Sequence, residues 1–181
     1  MAKHCFKNYF FFNLEISQKI EGQDTKEYCM KYYIDFDIKE DDKKSVDLKS
    51  LFNNLNQEFI LLDTKNKMTV KKKFISLPKY LIVIINTDIN NKHFSMFLKK
   101  NVDIKEFCED KLKKTKYELF SIIEKNSISY CKSPIDSKWY KYDLLSNIGE
   151  LEKKSNKQPI KLFENIHQEI TPNLIILKQT S

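Results

Sequence analysis

Ser129-Tyr130-Cys131-Lys132-Ser133-Pro134-Ile135-Asp136-Ser137-Lys138-Trp139-Tyr140-Lys141-Tyr142-Asp143 holds the only tryptophan of the chain and three of its nine tyrosines. Two runs that favour β structure flank Pro134, Asp136 and Ser137, which are turn formers, so the stretch predicts a hairpin. Aromatic side chains on paired strands interlock across the pleat and stabilise such a hairpin. The pattern by itself predicts a β scaffold and no chemistry.

Outward from the hairpin, length and composition bound the answer. A chain of 181 residues is one domain, or two small lobes sharing a core. With 41% hydrophobic and 13% aromatic residues there is ample material for that core. The charge is +7, and all 32 basic residues are lysine. Lysine is a point charge, without the forked contacts that arginine makes to phosphates and bases. Its spread along the whole chain predicts a solvated surface and disfavours nucleic acid as a partner. A basic interaction module remains a reading of its own. Four cysteines stand at 5, 29, 108 and 131 with no Cys-x-x-Cys pair, so neither a zinc site nor a disulfide framework is signalled. Phe10-Phe11-Phe12 is too short for the apolar part of a signal peptide. No apolar run approaches the ~20 residues of a membrane helix. The expected setting is intracellular, cytoplasm or nucleus, with no membrane and no cofactor.

In order, residues 6–18 predict a strand and 21–24 a turn. Tyr28, Met30, Tyr32, Ile34, Phe36 and Ile38 alternate with polar residues, which predicts one long, half-buried antiparallel strand. Ser45 is placed to cap a helix carrying Leu48, Leu51, Phe52 and Leu55 on one stripe. Residues 59–62 suggest a short strand. Residues 81–85 are apolar without alternation, which predicts a strand covered on both faces at the centre of the sheet. Residues 90–93 read as a loop, 111–116 as a lysine-rich connector, 117–123 as a strand, 144–151 as a short helix, 153–158 as a polar loop and 172–177 as a closing strand. The fold class is α/β (α+β), mainly antiparallel β with few helices.

The hairpin stretch resembles the C-terminal signature of the ubiquitin-specific proteases, papain-like cysteine peptidases that remove ubiquitin. In that family a histidine strand leads into Tyr-Cys, a turn, then Trp-x-x-aromatic-Asp. Tyr130-Cys131, Trp139, Tyr142 and Asp143 match. The resemblance gives Asp143 the role of orienting the catalytic histidine, but the histidine position falls on Asn126. An amide has no protonation step near neutral pH and cannot act as the base. The likeness continues in Leu77-Pro78-Lys79-Tyr80-Leu81-Ile82 and Val102-Asp103-Ile104. It implies one domain over residues 1–181, fingers-like at 6–75 and palm-like at 76–181, lacking the thumb that carries the nucleophile.

Two further expectations follow from the same resemblance. The family's fingers end in a zinc ribbon held by two Cys-x-x-Cys pairs. Here the first pair falls near Ile20 and Gln23, the second between 59 and 67, and neither has cysteine. No metal is expected, and the tip has to hold by packing. His4-Cys5-Phe6-Lys7-Asn8 echoes the nucleophile box Cys-aromatic-x-Asn. The box also takes an upstream asparagine and a helical thumb downstream; neither is expected here, since Cys5 is almost the first residue of this sequence and strand-like sequence follows at once. Cys5 is therefore read as a chance echo, with nucleophile as the alternative. No catalytic set is intact. The implied function is a ubiquitin or ubiquitin-like protein binding or scaffolding pseudoenzyme, with Tyr130, Trp139 and Tyr142 as candidate binding residues. The alternative is a fragment of an active deubiquitinating peptidase whose nucleophile lies outside this chain. His4, His93 and His167 are scattered and read as surface residues.

Overall fold

The computed structural model describes residues 7–20, 23–38, 46–60, 67–87, 96–97, 100–124, 128–143, 158–160 and 171–180. The alternating run from Tyr28 to Ile38 is not one strand. It bends at Tyr32 and Tyr33 and divides into β2 (Gln23–Lys31) and β3 (Ile34–Ile38), which belong to different sheets. β2 pairs antiparallel with β1 (Phe12–Ile20), whereas β3 pairs parallel with β7 (Tyr80–Thr87). Ile34, Phe36 and Ile38 are buried, whereas Tyr28, Met30 and Tyr32 are 65%, 54% and 55% exposed. Alternation reports the pleat. It does not report whether anything lies against the apolar side.

The small sheet has four strands in the order β2-β1-β6-β5, with β5 at Asn56–Ile60 and β6 at Lys67–Phe74. The expected strand at 59–62 thus starts earlier. The expected strand at 6–18 begins instead with a helical turn, α1 (Lys7–Phe10), before β1. At the sheet's tip, Ile20 pairs with both Gln23 and Met68, and Ile60 with Lys67. Among the described residues, no three His, Cys, Asp or Glu side chains form a group that could hold a metal.

The large sheet runs β13-β12-β11-β10-β14-β7-β3, and β9 (Asn101–Asp103) also pairs with β10 (Lys116–Glu124). β11 is Ile128–Lys132, β12 Trp139–Asp143, β13 Gln158–Ile160 and β14 Pro172–Gln179. β14 closes the sheet between β10 and β7, as the apolar run at 172–177 predicts. β7 lies next to the edge strand β3 and not at the centre. Leu81, Val83 and Ile85 are buried, while Ile82 and Ile84 are only half-covered, so its second face is not sealed. Lone apolar runs do not distinguish these cases by period.

A short pair, β4 (Val46–Asp47) with β8 (Met96–Phe97), leads into helix α2 (Leu48–Asn53). Its cap is Asp47, whose carboxylate accepts the Ser50 N–H at 2.7 Å. Ser45, the expected cap, lies outside the described residues. So do the loop at 90–93 and the helix at 144–151. α2 buries Leu48, Leu51 and Phe52. Phe52 touches Phe36 at 5.5 Å, Phe107 at 5.7 Å and Phe74 at 6.4 Å, and Phe74 meets Phe12 at 5.3 Å. T-shaped and tilted aromatic contacts of this kind add about 0.5–1.5 kcal/mol each to the area they bury. They join both sheets into one core. No helix among the described residues is long and apolar enough to cross a membrane.

Candidate functional site

The hairpin of β11 and β12 lies where the sequence places it. Ile128 pairs with Asp143, Tyr130 with Lys141, and Lys132 with Trp139. Its turn is built by side chains. Ser133 Oγ accepts the N–H groups of Ile135 and Asp136, and Asp136 accepts Lys138 N–H at 3.1 Å and the Tyr140 hydroxyl at 2.7 Å. The Tyr140 hydroxyl, with Ser133 and Lys138 N–H beside it, holds the Asp136 carboxyl down at about 2. Ser137 takes φ of 58°, a left-handed conformation that costs a side chain with Cβ.

The three candidate binding residues do not share a face. Tyr130 and Trp139 are 7% exposed and belong to the core. Tyr142 is half-buried on the opposite side, opposite Ser129. There it lines a groove of about 620 Å3 with Phe120, Cys131, Pro134, Ile135 and Tyr140. Cys131 is only half-buried, with its sulfur 3.2 Å from Ser121 Oγ. At this groove Lys132 is tied to Glu118 at 2.6 Å. Cys108 is a different thiol. It is buried, donates to the Ile104 carbonyl at 3.2 Å, and burial pushes it up to about 12, so it is inert as a nucleophile.

The residues to which the sequence resemblance assigns catalytic roles are only partly placed. Asn126 and Cys5 lie outside the described residues, as do His4, His93 and His167. The ladder sets Asp143 opposite Ile128, two residues past Asn126. One ionisable group at this end was missed by reading the sequence. Glu124, the last residue of β10, is half-buried and lies 3.5 Å from the Tyr130 hydroxyl. Burial raises its proton affinity, against the Thr171 N–H, the Tyr130 hydroxyl and the Lys141 charge. The clue was a carboxylate at the end of a strand whose alternate positions are apolar.

The sequence matches no family model and no curated protein. The fold does match solved structures. A chain of the Ubp8-Sgf11-Sgf73-Sus1 SAGA DUB module aligns with TM-score 0.71 and 16% identity, over 99% of this chain and 42% of its own. The module bound to monoubiquitin gives 0.70 and 18%, over 96% and 41%. A yeast module with a mutant Sgf73 gives 0.72 and 16%, over 99% and 44%. This chain therefore spans well under half the length of the chains it matches, and at such identity the likeness is one of fold. This likeness, over nearly the whole chain, gives it the fold of a ubiquitin-specific-protease-like domain.

Proposed function

We propose that this chain binds ubiquitin or a ubiquitin-like protein without cleaving it. The observation that carries the reading is the fold shared with a module solved bound to monoubiquitin, and the resemblance puts an amide, Asn126, where it expects the histidine. Thiol-based amide hydrolysis needs a thiolate, a base within hydrogen-bond reach of it, and a third group orienting that base. Asp143 keeps the place of the third group and asparagine stands at the second. Tyr142 and the groove beside it are available to a partner, while Tyr130 and Trp139 support the strands from the core side.

Two measurements test this. Labelled ubiquitin titrated with the protein should show shifts that persist at raised salt, where a purely basic module would lose its partner. No shift at near-millimolar protein removes the binding reading. A ubiquitin probe with a thiol-reactive C-terminus should label neither wild type nor Asn126→His. Labelling of wild type that is lost in Cys5→Ser would make Cys5 the nucleophile.

A second reading rests on the 42% coverage, namely that the chain is one piece of an active peptidase. It expects the probe to label a longer product of the same gene, on a cysteine outside residues 1–181.

A further inference from the structure

The small sheet has a long edge that neither a proline nor a bulge interrupts. β2 runs nine residues and pairs with β1 in unbroken register, from Phe12↔Lys31 to Ile20↔Gln23. Among the described residues no strand pairs with its other side. It has no proline and no bulge. The other terminal strands are shorter: β3 and β5 have five residues each, and β13 has three, one of them Pro159. A long, regular free edge is a template for another strand. β2 also leaves Tyr28 and Met30 open to solvent, and its charges cancel, with Asp24 and Glu27 against Lys26 and Lys31.

We propose that this edge pairs antiparallel with the same edge of a second copy, about a two-fold axis through Cys29. A two-fold normal to a sheet keeps each face on its own side, so the axis must pass through a residue position. Through Lys26 or Glu27 it sets like charges opposite each other, which destabilises the pairing. Through Thr25 it opposes Asp24 to Lys26, which Glu15 already holds at 3.0 Å, and leaves Tyr28 and Met30 uncovered. Through Tyr28 no ion pair is direct. Through Cys29, residues 27–31 of the two copies pair, five of the strand's nine, so that Glu27 faces Lys31 of the partner subunit and Tyr28 faces Met30 of the partner subunit, each twice. Directly opposed residues lie with Cβ atoms about 4.5–5.5 Å apart, within reach of both contacts. The pairing does not depend on ubiquitin binding.

One strand pair buries less than the ~1,000 Å2 of a stable interface, so the dimer is weak and concentration-dependent. Sedimentation from about 10 µM to about 500 µM spans the range such a small contact requires. Wild type should pass from monomer to dimer. Glu27→Lys and Lys31→Glu should each weaken the dimer about tenfold, and the double variant E27K/K31E should restore it, because the charges are exchanged and not removed. Thermal melts confirm that all three variants are folded. A short bismaleimide should join wild-type chains and fail on Cys29→Ser. Wild type that stays monomeric throughout, or a double variant as weak as the singles, overturns the proposal.

Discussion

β2 and β3 are consecutive, alternate alike, and meet opposite fates. On β3, Ile34, Phe36 and Ile38 are buried in the core, and the ring of Phe52 from α2 lies against Phe36. On β2, Tyr28 and Met30 stand in solvent, and Tyr28 donates its hydroxyl to Glu15 at 3.1 Å. The difference lies in the covering layer and not in the strands. A pleat sorts side chains to two sides, and a second element decides which side is dry. The bend at Tyr32 and Tyr33 is where the chain passes from one regime to the other.

The sharpest way to break this comparison is to truncate one aromatic in each strand. Phe36→Ala should cost about 3–5 kcal/mol, as a fully packed ring does. Tyr28→Ala should stay within about 0.5 kcal/mol, as surface substitutions do. Urea unfolding gives both values, and similar costs would mean that β2 is covered in solution. A smaller effect tests the helix that supplies Phe52. Asp47→Ala removes the cap of α2 and should cost about 1 kcal/mol, while Ser45→Ala should change nothing measurable. The reverse order would return the cap to Ser45.

The same contrast explains what could be read from the sequence. The hairpin, β14 and α2 were legible because their signals are local: turn residues, an apolar run, and leucines at helical spacing. The division of 28–38 between two sheets was not, because β2 pairs with β1 and β3 with β7, partners distant from each other in sequence. Nor was the half-covered second face of β7. At the candidate site, the roles given to Asn126 and Asp143 rest only on resemblance to a family, and Asn126 lies outside the described residues. Tyr130 and Trp139 are candidate binding residues by sequence, and the structure buries both in the core. Glu124 gave too little signal, since a strand-end carboxylate is usually solvated.

The hairpin turn offers a gain where the strands offer losses. Ser137 holds φ of 58° with a Cβ that the left-handed region penalises. Ser137→Gly should stabilise the protein by up to about 1 kcal/mol, after the extra freedom glycine gives the unfolded chain is set against the relief. A loss of stability on calorimetry would mean the turn's side-chain bonds already compensate for the strain.

The smallest effect concerns Glu124, the carboxylate that the large sheet half-buries. Burial raises its folded pKa above the ordinary 4.5, so the fold favours the protonated form. Its contribution to stability is therefore complete below about pH 4.5 and is lost as pH rises through the higher folded value. At neutral pH the ionised group is a cost, reduced by the Thr171 N–H, the Tyr130 hydroxyl and the Lys141 charge. Glu124→Gln removes the charge and keeps the shape. It should raise stability near pH 7 by less than about 1 kcal/mol, because the side chain is still partly in water and screened. Near pH 4 the two proteins should unfold at about the same urea concentration, since both are then neutral at this position. A variant that is weaker near pH 7 would show that Lys141 and the Thr171 N–H outweigh burial, and would make Glu124 an ion-pair partner of the hairpin.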